Sequence, residues 1–429
     1  MILAPGNKEE RHYVYTFFTQ ASASLAGSIP SDLWARLIPQ LSHHKPMVRH
    51  AVAAVSAAYV QQTQPSAISR NSRFIIQQYN KAIQDFIHLA SRQGEDLELL
   101  LTTCILFICL EMIRGNQGQA VSHTESALRI FKSYLERTSS TSGLDRELSQ
   151  LLVRMNIQLP YMGRPLILQD EPMKPVYDKK LPFESFHQAR QMIAKLNRRT
   201  LKFNESMRLD ENGELIDEDQ RQEYKALLQE SKDWRVAFQK MIADSKTRIP
   251  DPRAPLVLEI GWHASVAWVK CCTRKEECAY DDLNDHWEGM VHSAEEILRL
   301  TDSEHDSALS GLFSIDSEIV PMMYWTATKC RDPWIRRRAI SVLSRHPRRE
   351  GFYNVRMYRK VAERVLELEE APLASLSIGQ RVPLEEHRFS LVHISPTDGV
   401  YKNPVPVFYM MRSLGLGHAP VTWWEDVDW

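Results

Sequence analysis

The residues best suited to chemistry are a run of carboxylates, Asp281-Asp-Leu-Asn-Asp285. Clustered carboxylate oxygens are the ligands that a hard cation requires, so an Asp-Asp-x-x-Asp pattern can hold Mg²⁺ against a diphosphate. Helical enzymes of that type also need a second metal-binding motif, Asn/Asp-Asp-x-x-Ser-x-x-x-Glu, which this sequence does not contain. The run therefore predicts the capped start of a helix that continues through Trp287 and Ile297. An all-α metal-dependent enzyme that uses Asp281, Asp282 and Asp285 on a diphosphate substrate is the alternative.

A second motif is a dense block of positive charge. Between Lys329 and Lys360 there are two Lys and nine Arg against one Asp and one Glu, which leaves a net charge of +9. Such cations supply most of the non-specific affinity of proteins for nucleic acid. They also cap helix ends and pair with acidic residues on the surface of their own domain. We favour this second interpretation and predict no DNA-binding residue here; a nuclear-localisation role for Arg336-Arg-Arg338 is the lesser alternative.

The remaining polar candidates do not form a recognisable site. His43-His44 and His50 lack acidic or thiol partners at ligand spacing, and His123 falls on a helix face, where an interior hydrogen-bonded histidine is expected. The sequence has no phosphate-binding glycine loop, nucleophile elbow or His-Glu-x-x-His pattern. We therefore predict no catalytic, cofactor-binding or metal-binding residues and no cofactor, and we do not expect an enzyme.

Composition bounds the class of protein. The chain has 429 residues, 43% of them hydrophobic and 25% charged, and a net charge of −1, as in ordinary soluble domains. The N-terminus does not resemble a secretory signal, and six scattered cysteines indicate free thiols in a reducing compartment. The most apolar stretch, Leu99–Leu110, is too short for a membrane span of about 20 residues and predicts a buried helix. We expect an intracellular protein with no membrane contact.

Apolar spacing predicts an all-α stack of helical hairpins, since apolar residues recur at i, i+3 and i+4 and strand signals are nearly absent in the N-terminal third. We divide it into an N-terminal helical layer (1–136), the central and C-terminal helical part of the same domain (147–370) and an extension (371–429). A Ser-rich connector, Thr138–Gly143, separates the first two.

The helices that carry the basic block can be placed individually. Asp332 is a suitable N-cap and Pro333 a suitable first residue for a helix with the apolar stripe Ile335, Ala339 and Leu343. His346-Pro347 should end it. The next helix should span Val355 to Glu370. Its buried face should consist of the apolar residues Tyr358, Val361, Ala362, Val365 and Leu368.

The extension changes character. Phe389–Val392 and Val405–Tyr409, separated by Pro396-Thr-Asp-Gly399, predict a small β-hairpin. Pro404 and Pro406 should confine the second strand to an edge. The end, Trp423-Trp-Glu-Asp-Val-Asp-Trp429, combines aromatic and acidic residues. It can be read as an activation segment for a coactivator groove, or as a tail that docks its Trp side chains onto the helical domain, which we favour.

Taken together, the sequence motifs of this chain resemble those of the regulatory domain of fungal zinc-binuclear-cluster transcription factors, the fungal-specific transcription factor domain. The segment 313–354 carries the most specific phrases: Lys329-Cys-Arg-Asp-Pro333, Arg336-Arg-Arg-Ala-Ile340 and Pro347-Arg-Arg-Glu-Gly351. Earlier phrases follow in the expected order: Leu33-Trp34, Val48–Ala54, Tyr79–Ile83, Leu100–Glu111, Arg114–Asn116, His123 and Phe183–Arg190.

The resemblance implies a nuclear transcriptional regulator that controls pathway or secondary-metabolite biosynthetic genes in a fungus. The family's DNA-binding module has six cysteines that begin with Cys-x2-Cys-x6-Cys, and no cysteines here have that spacing. The chain is then either a stand-alone co-regulator or the product of a gene model that lost its N-terminus. Expected partners are transcription factors or coactivators, among them a zinc-cluster protein that supplies DNA binding, with a homodimer as a further possibility.

Overall fold

A computed structural model gives the fold. It describes residues 5–63, 68–91, 96–138, 144–169, 182–210, 214–249, 251–274, 276–303, 313–345, 349–395, 401–412 and 419–429. The chain divides into two compact units. The first comprises residues 1–174, 307–316 and 398–400, and the second comprises 175–306, 317–397 and 401–429. The three segments expected from the sequence remain a prediction. The connector at 139–143, the stop at His346-Pro347 and the turn at 396–399 lie outside the described residues.

The first unit is helical. Its α-helices are α1 (Lys8–Thr16), α2 (Ser22–Ala26), α3 (Ile38–His44), α4 (Pro46–Thr63), α5 (Ile68–Ala90), α6 (Leu97–Arg114), α7 (Gln117–Thr138) and α8 (Arg146–Gln158). Two π-helical turns, Phe17–Ala21 and Leu33–Leu37, lie between α1 and α3. A short extended segment, β1 (Phe313–Ser314), is bound to α2, since Ser24 Oγ donates to Phe313 O at 2.7 Å.

The core of the first unit forms around α6. Every residue from Leu99 to Ile113 is buried, as the apolar run predicts. Asp96 caps the helix by accepting from Leu99 N, and Gly115 ends it at φ 83°, a left-handed conformation that glycine adopts at little cost. Across the described part of the chain, no helix is both long and apolar enough to cross a membrane.

The second unit contains the other helices and five strands. The helices are α9 (Phe186–Ser206), α10 (Glu218–Ala243), α11 (Arg253–Cys271), α12 (Asn284–Ser303), α13 (Val320–Lys329), α14 (Pro333–Arg345) and α15 (Val355–Glu370). The strands are β2 (Arg349–Glu350), β3 (Tyr353–Asn354), β4 (Phe389–Ile394), β5 (Val405–Met411) and β6 (Val421–Val427). The short strands β2 and β3 pair antiparallel around Gly351, whose φ is 49°. The predicted mostly-α fold with a small C-terminal β segment is confirmed.

The predicted hairpin exists, but the expectation that its second strand is an edge is wrong. β4 pairs antiparallel with β5, and β5 also pairs antiparallel with β6, so β5 lies in the centre. Pro406 is tolerated there because the ladder to β4 ends beside it: Ile394 is the last β4 residue in register, and Ser395 N donates to Pro406 O at 2.9 Å. Because Pro406 has no backbone N–H, the sheet lacks only one hydrogen bond, at the end of the ladder between β4 and β5.

Candidate functional site

The helix of the basic block forms as predicted. Asp332 Oδ1 accepts hydrogen bonds of 2.9 Å from the backbone N–H groups of Trp334 and Ile335, so it caps α14. The apolar stripe is buried: Ile335, Ala339 and Leu343. The same helix positions three consecutive arginines, 336–338, in three different environments.

The cations at the centre of the block lie in the core of the second unit. The side chains of Arg331, Arg336 and Glu369 are all 0% exposed. Arg331 Nη2 donates to Glu369 Oε1 at 2.7 Å, and Arg336 Nη2 lies 2.9 Å from Glu369 Oε2 as an ion pair without hydrogen-bond alignment. Burial raises the pKa of Glu369, but the two guanidinium groups more than offset it, and the pKa lies below its usual value. The sequence predicts pairing at the surface; for these two arginines it occurs inside the core.

Lys329 extends this network to the sheet. Its Nζ donates to Glu277 Oε2 at 2.8 Å and to the carbonyl oxygens of Phe389 and Ser390 at 3.0 Å each. Glu369 Oε1 accepts from the backbone N–H of Phe389 at 2.9 Å. One buried group of charges, which we call the Glu369 cluster (Glu277, Lys329, Arg331, Arg336 and Glu369), therefore joins α13, α14, α15 and β4.

The outer arginines of the block are also paired. Arg337 binds Glu370 through both of its Nη atoms, at 3.0 and 2.5 Å. Arg338 is held by two carboxylates of α12, those of Glu288 and Glu295, at 2.7 Å each. Because Arg336 is in the core and its two neighbours are held by acids, Arg336–Arg338 is not an exposed basic signal. The part of the block from Lys329 to Arg338 therefore packs α14 and is not a free cationic surface, whereas Arg356 is exposed and Arg345 is 52% exposed.

The acidic run of the alternative hypothesis is engaged elsewhere. Asp281 receives two hydrogen bonds of 2.8 Å from Arg388, and it lies in a 3₁₀ turn, Glu277–Leu283, before α12 begins at Asn284. Among the residues with a described placement, no three His, Cys, Asp or Glu side chains form a group that could hold a metal ion. Within the run, Asp281 is half-buried and Asp282 and Asp285 are exposed. The bidentate contact with Arg388 neutralises the charge of Asp281. The geometry does not favour a diphosphate-metal site here.

Two of the histidines noted in the sequence have defined contacts in the first unit. His123 is hydrogen-bonded inside the unit, as predicted: its Nε2 lies 2.9 Å from Tyr79 Oη, and burial lowers its pKa. His50 lies on α4, and its Nδ1 lies 2.6 Å from Gln78 Oε1 and 3.6 Å from Glu10 Oε1. Sequence spacing does not show the proximity of Glu10, because Glu10 lies on α1, far from His50 in sequence.

One pair of histidines was missed in the sequence. His263 of α11 and His286 of α12 place their Nδ1 atoms 3.1 Å apart, and Lys270 Nζ lies 3.2 Å from His286 Nε2. Since lysine donates, His286 accepts at Nε2 and donates from Nδ1 to His263, which fixes the tautomers of both rings. No local pattern marks the pair, because its members come from separate helices.

The acidic-aromatic end of the chain is a strand and not a free tail. β6 pairs with β5 along all seven of its residues. Trp423 packs on Phe389 and Tyr409, with ring centroids 5.4 Å away in both cases, and Arg364 of α15 binds Glu425 at 2.9 Å. The segment is therefore docked, but the expectation that its Trp side chains dock onto the helical domain is wrong: Trp423 packs on the sheet, and Trp424 is 59% exposed.

Comparison with known proteins identifies the family of the chain. The family model described as the fungal specific transcription factor domain matches residues 11–248, more than half of the chain, and the chain belongs to that family. The basic block lies outside the matched range.

One curated relative is the aspercryptin biosynthesis cluster-specific transcription regulator atnN of Emericella nidulans, 34% identical over 73 residues. That similarity covers 17% of this chain and only 12% of the relative. No solved structure matches the chain.

Proposed function

We propose that this protein is a nuclear transcriptional regulator that acts through protein partners. Membership of the fungal-specific transcription factor domain family supports this, as does the short similarity to a protein named as a transcription regulator. Both similarities concern regulatory proteins and not a catalytic class.

The structural observation that carries the proposal is the arrangement of the basic block. Non-specific affinity for DNA comes from cations that are free to replace counterions at phosphates. Here Arg331 and Arg336 are fully buried, and Lys329, Arg337 and Arg338 are bound to carboxylates. The cations from Lys329 to Arg338 are therefore engaged in contacts within the fold.

We further propose that sequence readout is supplied by a zinc-cluster partner or by another DNA-binding protein. The six cysteines of this chain are free thiols, and Cys104, Cys109, Cys271 and Cys330 are buried. Thiols in such surroundings belong to helix packing and do not form a six-cysteine cluster. The regulated genes would be those of a biosynthetic pathway, as the name of the relative indicates for that protein.

Gene deletion followed by transcript sequencing tests the proposal. We expect the loss of transcripts from a small set of pathway genes and their recovery on complementation with the wild-type gene. A complementing Glu369→Ala gene should give reduced recovery, because the variant destabilises the second unit, whereas the matched Arg345→Ala gene, which removes an exposed ion pair, should succeed. Unchanged transcripts under inducing conditions would contradict the proposal.

The role of a partner is tested separately. Chromatin immunoprecipitation should recover the target promoters from cells, while the purified chain should show no sequence-specific retention of the same promoter fragments. Specific binding by the purified chain alone would overturn the part of the proposal that assigns DNA readout to a partner.

A further inference from the structure

The two edges of the C-terminal sheet differ. On the β4 edge, Lys329 Nζ binds the carbonyl oxygens of both Phe389 and Ser390. The register of β4 with β5 is also irregular between Phe389 and Leu391. A bulge and a covering cation are devices that prevent a further strand from pairing at an edge.

The β6 edge has none of these devices. β6 is seven residues long, pairs in continuous register with β5, and contains no Lys or Pro. In the described part of the chain, no strand pairs with its other side. A long regular edge of this kind is a template for one more strand.

The register identifies which backbone groups face outward. In an antiparallel ladder, successive residues of a strand direct their N–H and C=O groups to alternate sides. Because Pro406 O accepts from Ser395 on the β4 side, Phe408 also faces β4, and Val407 faces β6. Val407 is paired with Glu425, so the backbone groups of the neighbouring Trp424 and Asp426, like those of Thr422, point to the open edge.

The side chains of the same residues lie on the outer face of the sheet. Trp424 is 59% exposed and rests on Phe408, with ring centroids 5.1 Å apart. Asp426, two residues along, is exposed on the same face. From 419 to 429 there are three acidic residues and no Lys or Arg. The edge thus combines an aromatic surface with negative charge.

We propose that β6 accepts an extended segment of a partner protein with basic residues at alternate positions, which adds as a fourth strand. Main-chain hydrogen bonds along the edge give affinity, and alternate side chains give specificity. One cation would lie over the ring of Trp424 and the next would pair with Asp426. The inference deepens the proposed function, on which it rests, by naming the surface and the chemistry of the partner.

A second copy of the chain is the less suitable occupant. In antiparallel self-pairing of β6 with full overlap, Trp424 would lie opposite Trp424 and Asp426 opposite Thr422 of the other copy. Neither copy has a Lys or Arg between 419 and 429 that could pair with the acidic residues of the other. Charge complementarity therefore selects a basic segment.

Fluorescence anisotropy with the full chain tests the proposal. The probe is a labelled, acetylated and amidated peptide in which Arg alternates with Thr and Val over the length of β6. We expect saturable binding that weakens with salt. The same peptide with Glu in place of each Arg, or with Pro at alternate positions, should not bind.

Three variants locate the binding. Thr422→Pro removes only an outward N–H and should abolish binding, while Asp426→Lys should weaken it about tenfold. The matched control, Leu391→Thr, alters the same outer face on β4 and should bind like the wild type. Thermal unfolding and circular dichroism of each variant show whether the sheet is retained.

Three outcomes would overturn the proposal: no peptide binding by the wild type, binding that Thr422→Pro leaves unchanged, or light scattering that shows a dimer which Thr422→Pro dissociates. These are measurements on the purified chain. They can fail while gene deletion still changes transcripts, so failure of the surface and failure of the regulatory function are distinguishable.

Discussion

Arg336 and Glu369 face each other at 2.9 Å with both side chains 0% exposed. Glu369 also binds Arg331, whose Nη1 lies 3.6 Å from Glu277 Oε2, so one carboxylate contacts both buried guanidinium groups. Such a group need not add net stability over an apolar core, since desolvation offsets most of the attraction. Removal of one member, however, leaves an uncompensated charge in the core.

Glu369→Ala should therefore lower the free energy of unfolding of the second unit by about 3–5 kcal/mol. Urea denaturation combined with hydrogen exchange in α14 and α15 measures the change in that unit. Arg345→Ala is the control, because the Arg345–Asp302 pair has a similar distance of 2.9 Å but side-chain exposures of 52% and 68%. Its loss should cost at most about 1 kcal/mol. Equal effects of the two substitutions would contradict the role of burial.

The adjacent tryptophans of β6 provide a second comparison. Trp423 packs on Phe389 and Tyr409 on the inner face, whereas Trp424 is 59% exposed on the outer face. Trp423→Ala should cost about 3 kcal/mol of unfolding free energy, and Trp424→Ala less than about 1 kcal/mol. Denaturation midpoints of the two variants give the comparison. A larger loss for Trp424 would show that the register of β6 is shifted by one residue.

The low pKa values of His263 and His286 should make the stability of the second unit depend on pH. Burial, His286 and Arg235 lower the pKa of His263 to about 3, and burial and Lys270 lower that of His286 to about 4. The unfolded imidazoles titrate near 6.5. Below that pH the unfolded chain binds protons that the folded chain does not, so the free energy of unfolding falls as the pH decreases from 6.5 toward 4.

The double variant His263→Gln/His286→Gln should make this fall less steep. Denaturation midpoints measured across the same pH interval give the slope. The control is His43→Gln, since His43 is exposed at the end of α3 and should leave the slope as in the wild type. If the double variant and the wild type had the same slope, the pair would not be the source of the pH dependence.

Thiol reactivity gives a test of packing that needs no variant. Cys278 is exposed, while Cys104, Cys109 and Cys330 are buried. Partial burial and Glu385 raise the pKa of Cys278 to about 11, and burial raises those of Cys104 and Cys330 to about 12. Iodoacetamide should therefore label Cys278 first, slowly at neutral pH and faster as the pH rises.

Mass spectrometry identifies the labelled peptide. Cys278→Ser should remove the early label, and urea should make all six cysteines reactive. Labelling of Cys330 as fast as Cys278 under native conditions would show that the core beside α14 opens readily.

Local patterns were sufficient to predict the helices. α15 has the bounds Val355 and Glu370 that the sequence predicts, because Asn354 accepts from the backbone N–H of Arg356 and the apolar residues follow the helical period. The N-cap of α14 at Asp332 could be predicted in the same way. These features depend on residues within a few positions of one another.

The contacts of the site could not be predicted in the same way. Nothing in the neighbourhood of Arg331 shows that its partner is Glu369, 38 residues later, or that both are buried. Hydrophobic periodicity treats Glu369 as a solvent-facing residue at the end of a helix. The central place of β5 was missed for a similar reason: the cost of Pro406 depends on where β4 ends, which is a property of the pairing and not of the strand.

The sharing of Glu369 between helices and sheet matters for domain mapping. Glu369 binds the N–H of Phe389, and Lys329 binds two carbonyl groups of β4. A truncation before Phe389 would therefore remove acceptors from a buried cation as well as the acidic-aromatic strand. Loss of reporter activity in such a deletion series would measure unfolding, and point substitutions on the outer face of β6 are the appropriate way to separate an effector surface from the integrity of its scaffold.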